Sequence, residues 1–277
     1  MRFRDDELER AFRRDGFVRV PFLDAGQLRT LQRLWARYGP AEFEGIYSNI
    51  HDLPMPVNRE IDRTITETVS PPPGHLDGGG VGGATFLAKG TGPSSAPTPH
   101  QDWNSVDESA SLSLSIWCPL VDVDEQNGAL QVIAGSHRLR PTIRSIDTPS
   151  LYLDFDDELE PHLTCVPVRA GQAVIYAHNL FHGSKANRTD AVRPAIAAGV
   201  LADGAANIHY RRVPPGADAT GSADDEFEIL AVDRDFYFGG VPEMKDGRLP
   251  DSVRTIGRVR VPGHRLERHE VLAEHSG

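Results

Sequence analysis

A double-sheet β barrel, a jelly roll in the broad sense with helices packed outside it, is the fold class this sequence predicts. Helical periodicity is confined to residues 1–70, and from residue 85 onward the chain turns to short strands separated by turn residues. No repeat of fixed period competes with that reading. Leu8, Ala11 and Phe12 stand at helical spacing and Gly16 stops the helix. Phe17-Val18-Arg19-Val20-Pro21 alternates as a short strand. Asp24 is placed to cap a second helix, with Leu28, Leu31, Leu34 and Trp35 on one face. Residues 39–56 mix polar residues with Pro and Gly and are expected to be loop, and 57–69 to form a polar helix. Residues 71–83 open with three prolines and continue into glycine, so a long flexible segment is expected, either a linker or a mobile lid. Strands are expected at 85–89, 111–120, 130–133, 164–168, 172–176 and 195–201, with Asn127-Gly128 and Ala170-Gly171 as turns. The run 224–228 is acidic and is expected to be a solvated loop.

The 277 residues are within range for one elaborated all-β domain. The expected division is a core at about 85–201, helical support at 1–70 and a C-terminal elaboration at 203–277. Apolar residues make up 39% and charged residues 25%, enough for a packed core. A net charge of −11 argues against nucleic acid and anionic membranes as partners. The start, MRFRDDELERAFRRDGF, has no apolar stretch of the signal-peptide kind, and no apolar run of about 18 residues occurs after it. A cytoplasmic protein is expected. Cys118 and Cys165 allow one disulfide and nothing more. Lysine occurs only at 89, 185 and 245, which reads as codon bias in a GC-rich genome. Oligomeric state leaves no mark in the sequence.

His100-Gln101-Asp102 carries the chemistry. Residues i and i+2 of a strand share a face, so His100 and Asp102 can offer an imidazole nitrogen and a carboxylate oxygen to one metal ion. A third ligand from a distant strand would complete a 2-His-1-carboxylate face with the opposite side open, an arrangement suited to non-haem Fe(II). A bare His-x-Asp recurs by chance, and its neighbours raise its weight. Asn127-Gly128-Ala129-Leu130 runs on to Gly135-Ser136-His137-Arg138. Gly171 to Tyr176 comes next, then His182-Gly183-Ser184, Asn187 and Arg193.

In these blocks, and in RDGFVRVPFL before the second helix, the chain resembles the phytanoyl-CoA dioxygenase-like family of Fe(II)- and 2-oxoglutarate-dependent oxygenases. The resemblance covers roughly residues 10–35 and 85–201. It implies a double-stranded β-helix core, jelly-roll and cupin-like, with Fe(II) as cofactor and 2-oxoglutarate and O2 as co-substrates. It makes His100, Asp102 and His182 the iron ligands. Arg193, eleven residues past His182, becomes the partner of the far 2-oxoglutarate carboxylate, with Ser184 beside it and Gln101 and Trp117 lining the same pocket. A guanidinium fork matches a carboxylate, which supports the Arg193 role independently. The strand after residue 193 is expected to lie antiparallel to strand 172–176. His178 is the rival to His182, but only His182 stands in His-Gly-Ser. His137 belongs to a structural turn in the resembling family. Arg193 has the alternative of a surface pair with Asp190.

The resemblance implies coupled oxidation of a small-molecule substrate, with hydroxylation of an unactivated C–H as the expected outcome. Related halogenating enzymes carry a small residue in place of the carboxylate ligand, and Asp102 is present. Desaturation, cyclisation and epimerisation remain open, as does a cupin-like metalloprotein that uses no 2-oxoglutarate. Trp103 and Asn104 either face substrate or form a polar loop with one packed Trp, and Phe238 is a further substrate candidate. Tyr47, Asn49, His51, Tyr210, Arg211 and Arg212 lie outside the resemblance and favour a small polar metabolite, such as one from specialised biosynthesis.

Overall fold

The computed structural model describes residues 1–70, 75–97, 99–139, 141–148, 159–214, 224–240, 244 and 248–262. A two-residue strand β1 (Arg2–Phe3) leads into helix α1 (Asp6–Asp15). Asp5 caps α1 by accepting from the N–H groups of Glu7 and Leu8, and Gly16, at φ 81°, ends it. After β2 (Phe17–Pro21), helix α2 (Ala25–Tyr38) starts on a capping box in which Asp24 and Gln27 satisfy each other's backbone. Helix α4 (Met55–Val69) buries Ile61, Ile65 and Val69, the face expected of 57–69.

Residues 39–56 are less loop-like than expected. They contain β3 (Ile46–Ser48) and the single-turn helix α3 (Asn49–Asp52). The cause is Asn49, fully buried, whose Oδ1 accepts from the Phe86 N–H and the Thr85 hydroxyl at 2.7 Å each. Its Nδ2 donates to Asn58 at 2.8 Å. A buried carboxamide with all these bonds made pins the segment to the sheet.

The expected flexible segment 71–83 is also corrected. Residues 71–74 lie outside the described residues, and from Leu76 to Lys89 the chain is mostly strand. β4 (Leu76–Asp77) pairs with β1, and β5 (Gly80–Lys89) pairs along most of its length with β11 (Ala195–Leu201). The glycines of 78–83 lack side chains to anchor them, but from Gly80 their backbone groups are held by the neighbouring ladder.

The remaining barrel strands are β6 (Ser113–Pro119), β7 (Leu130–Val132), β8 (Thr164–Cys165), β9 (Gln172–Ala177) and β10 (His182–Ser184). The major sheet runs β2-β9-β6-β11-β5-β3 and the minor sheet β10-β7-β8. A bridge between His100 and His182 adds the His100 segment to the minor sheet. The two sheets form the jelly-roll core. β11 does not pair with β9 as expected, because β6 lies between them and pairs with both.

Alternation along the strands makes two cores. One face of the major sheet, with Phe86, Leu114, Ile116, Ile175 and Ile196, packs on the helices through Leu31, Ile61 and Ile65. Each such side chain contributes about 1.5–3 kcal/mol on full burial. The other face looks into the barrel, where Trp117, Val132, Val174, Tyr176 and Leu180 cluster. Cys118 and Cys165 are free thiols.

Beyond the barrel, β12 (Ile208–Arg212), β13 (Asp224–Ala231) and β14 (Arg254–Pro262) form a separate antiparallel sheet. The acidic run 224–228 is therefore the start of a central strand, a correction to the expected loop. Its charge is met by arginines on both neighbours: Glu228 pairs with Arg211 and with Arg258, the latter at 2.9 Å. Past β13, Arg234 clamps the chain onto α4 and β5. Its Nη2 donates to Asp62 at 2.7 Å, and the same Asp62 oxygen accepts the Ala84 N–H at 2.8 Å. Among the described residues no helix is long and apolar enough to cross a membrane.

Candidate metal centre

His100 and His182 meet through a two-way backbone bridge, each N–H donating to the other's carbonyl at 2.8 Å. The Asp102 N–H donates to the His178 carbonyl at 2.9 Å, fixing the segment two residues further on. Side-chain ligand atoms of His100, Asp102 and His182 consequently lie within 4.8 Å of one another. Asp102 Oδ1 is 4.0 Å from His100 Nε2 and 3.7 Å from His182 Nε2.

Each ligand's free atom is set by what holds its other one. His182 Nδ1 is 3.0 Å from the Leu180 carbonyl, which only accepts, so Nδ1 carries the proton and Nε2 offers a lone pair. Ser115 donates to Asp102 Oδ2 at 2.7 Å and leaves Oδ1 available. The Tyr176 hydroxyl is 3.4 Å from His182 Nε2. Burial pushes the His182 imidazole down to about 4, against the pull of Asp102, so it is neutral at pH 7. Burial alone would raise Asp102. The His182, His178 and His100 rings and the Ser115 hydroxyl outweigh it and hold the carboxyl at about 2. Two imidazoles and one carboxylate, converging beside a cavity, fit an octahedral divalent ion such as Fe(II).

His178 stays outside this cluster. It is 5% exposed and lines the cavity next to the triad, with Nδ1 unpartnered. His137 is remote, in the single 3-10 turn Ser136–Arg138, with its ring 6.2 Å from that of Phe12.

Arg193 is 3% exposed and its Nε and Nη1 have no hydrogen-bond partner. The surface pair with Asp190 is not formed. Its guanidinium carbon sits 5.1 Å from the centre of the Trp117 ring. Beside it is Lys89, 1% exposed, joined to Arg193 by a two-way backbone bridge at 3.0 and 2.9 Å. Lys89 Nζ donates to the Lys185 carbonyl. Burial, then the Arg193 charge, lowers Lys89 to about 7, and burial lowers Arg193 to about 9. A desolvated, unpaired guanidinium calls for an anion. Trp117 is two residues from Ser115 on β6, about 7 Å along the strand, so the guanidinium and the triad suit the two ends of one short dicarboxylate such as 2-oxoglutarate. Ser184, half-buried, is two past His182 on β10 and so on the same face. Gln101 lines the cavity and donates to the Asn179 carbonyl.

The cavity beside the triad has a volume of about 500 Å³. Trp103 and Phe238 line it, with Tyr237. Asn104 does not. It is 3% exposed, and its Oδ1 accepts from the Arg144 N–H at 2.6 Å. The polar set expected near substrate is corrected in the same way. Of those residues only His51 and Phe238 line the cavity, because Arg211 and Arg212 are paired in the C-terminal sheet and Asn49 is spent on β5.

Sequence reasoning missed Lys89, Ser115, Tyr176 and Arg144. The rarity of lysine was the available signal for Lys89. A Cβ at Gly128, whose φ is 78°, would lie 2.8 Å from Lys89 Cδ, so the Asn-Gly turn also makes room for that stem. Arg144, 6% exposed, donates from Nε to the Asp102 carbonyl at 2.7 Å and pairs with Glu108. Removing that pair together, as Arg144→Met with Glu108→Gln, is expected to weaken Mn(II) binding about 10-fold or more, measured by calorimetry. Unchanged affinity would make the pair purely structural.

A double-stranded β-helix with a His-x-Asp and a distant His at its mouth is the architecture of a cupin-like metal centre. Residues 83–195 match the family model described as Phytanoyl-CoA dioxygenase (PhyH), in line with the resemblance read from the sequence. A curated relative, Phytanoyl-CoA dioxygenase domain-containing protein 1 of Danio rerio, is 31% identical over 119 residues, covering 39% of this chain and 40% of that protein. Among solved structures, HygX from Streptomyces hygroscopicus with nickel and 2-oxoglutarate bound aligns at TM-score 0.52 and 19% identity, over 78% of this chain and 94% of that one. SnoK, a non-heme alpha ketoglutarate dependent carbocyclase from nogalamycin biosynthesis, aligns at TM-score 0.51 and 20% identity, over 73% and 86%. These two likenesses establish the shared fold.

Proposed function

We propose that the protein is an Fe(II)- and 2-oxoglutarate-dependent dioxygenase that hydroxylates an unactivated C–H of a small-molecule metabolite, natural-product precursors included. The observation that carries this is the buried, unpartnered Arg193 one strand-step from an open-faced His100/Asp102/His182 cluster. When bound, the iron with 2-oxoglutarate and O2 supplies the oxidising power. The chain supplies placement. His100, Asp102 and His182 hold the ion on one side and leave the cavity side open. Arg193, on the Trp117 face, holds the far carboxylate, with Ser184 beside it. The Leu180 carbonyl and the Ser115 hydroxyl keep His182 and Asp102 in their binding forms, and Trp103, Tyr237 and Phe238 wall the cavity on the open side.

Purified protein given Fe(II), 2-oxoglutarate and O2 is expected to form succinate, and to stop on chelation of the metal. Metal binding without any consumption of 2-oxoglutarate would overturn this reading in favour of a cupin-like metalloprotein. The carbocyclase activity given for SnoK motivates a second outcome on the same core. Product mass separates them: hydroxylation adds one oxygen, desaturation or ring closure removes two hydrogens, and epimerisation leaves mass unchanged.

A further inference from the structure

Tyr176, Ser115, Gly199 and Gly83 form one cross-strand row over β9, β6, β11 and β5. Ser115 holds Asp102, so the row starts at the edge of the triad and continues over glycine. Beside it, Trp117, Ala197 and Thr85 form a parallel row. Gly83, Thr85, Ala197 and Gly199 all face the cavity, and Leu87 and Leu201 line it further along the same two strands, so the floor is bare of bulky side chains only in the stretch between them. A Cβ added at Gly199 would meet nothing within 4 Å. Glycine weakens a strand interior, and vacant space above it forfeits dispersion contacts. A register shift in the β5–β11 ladder follows Gly199 and suits glycine there, and the open space above it leaves room for the close approach of another molecule.

The walls point the same way. Phe238 Cζ stands 3.9 Å from where a Cβ of Gly83 would lie, so an aromatic ring closes the β5 edge of the floor. Trp103 and Tyr237 line the same cavity. His178, buried, also lines it. Among the described residues no lysine or arginine lines the cavity, and its one carboxylate, Asp102, belongs to the triad. Away from the triad, a phosphate or carboxylate on the ligand would meet no lysine or arginine there.

We propose that the substrate is a flat, uncharged polycyclic ring system that lies on the Gly83–Gly199 floor. A planar π face makes the most contact with a floor of this shape, and the aromatic wall adds stacked or edge-on partners. This substrate class deepens the proposed function and rests on it for the reaction, though the binding itself does not require turnover.

The probe is 1-hydroxyanthraquinone, titrated under nitrogen into protein carrying Mn(II) and 2-oxoglutarate, with tryptophan fluorescence as readout. Saturable quenching is expected. Gly199→Leu fills the open space and is expected to weaken the probe at least about 10-fold, with Mn(II) and 2-oxoglutarate affinities unchanged by calorimetry. Ala197→Leu makes the same test should the first variant not fold. An anthraquinone sulfonate and octanoyl-CoA are expected not to displace the probe. Absent saturation, equal binding by the folded leucine variants, or displacement by octanoyl-CoA would each overturn the proposal. Should wild type fail to bind 2-oxoglutarate yet bind the probe in a Gly199-dependent way, the oxygenase reading fails and the substrate class stands.

Discussion

His182→Ala is expected to lose Mn(II) and Fe(II) binding outright, and His100→Ala and Asp102→Ala to do the same, while His178→Ala keeps it. Each of the three supplies one atom of a cluster that lies within 4.8 Å, so each substitution removes a third of the protein's donors. His178 supports this cluster's backbone through its carbonyl, which accepts from Asp102 at 2.9 Å and survives the substitution, and its ring supplies no atom to the cluster. Calorimetry with Mn(II) reads the difference without turnover. Loss of binding in His178→Ala together with retention in His182→Ala would reverse the assignment.

Arg193→Ala is expected to raise the 2-oxoglutarate Michaelis constant strongly while Mn(II) affinity stays near wild type. Losing one partner of a buried, hydrogen-bonded charge pair costs about 2–5 kcal/mol, on the order of 30-fold or more in affinity. Arg193→Lys recovers only part of this, since an ammonium lacks the two-pronged fork. Lys89 adds a second arm. It sits one backbone bridge away, and the Arg193 charge is the second cause, after burial, that lowers it, so Arg193→Ala shifts Lys89 toward its charged form. Arg193→Ala with Lys89→Met is therefore expected to bind 2-oxoglutarate more weakly than Arg193→Ala alone. An unchanged Michaelis constant in Arg193→Ala would remove the anchor role and shift weight to a metalloprotein without 2-oxoglutarate.

The clustering of His100, Asp102 and His182 was legible in the sequence because the patterns that point to it are local. His-x-Asp on a strand is a statement about period two, and His-Gly-Ser is a short pattern. The barrel was legible for the same reason, through alternation and turn residues. The partners that hold the donors were not. Ser115, Tyr176 and Arg144 reach Asp102 and His182 through tertiary contacts that no spacing encodes. Asn104 comes just after the metal motif in sequence, yet its carboxamide is taken by Arg144. Gly80–Gly83 read as flexible because glycine has no side chain to anchor it, whereas pairing with β11 depends on the backbone alone. The acidic run at 224–228 read as solvated because the arginines that neutralise it, Arg211 and Arg258, come from other strands.

The bridge between His100 and His182 gives the ion a second office. The two backbone hydrogen bonds there are 2.8 Å each and close the mouth of the barrel. An ion gripped by both imidazoles adds a rung across the same seam, so the seam cannot part without releasing it. A ligand that binds only the folded chain stabilises it by about 2.7 kcal/mol when its concentration is about a hundred times its dissociation constant. That energy falls where the His100 segment is fastened to β10, like the slider on a zip. A metal-loaded chain would thereby hold Gln101, Asp102 and Trp103 against the cavity more firmly than the metal-free chain, which does so by hydrogen bonds alone.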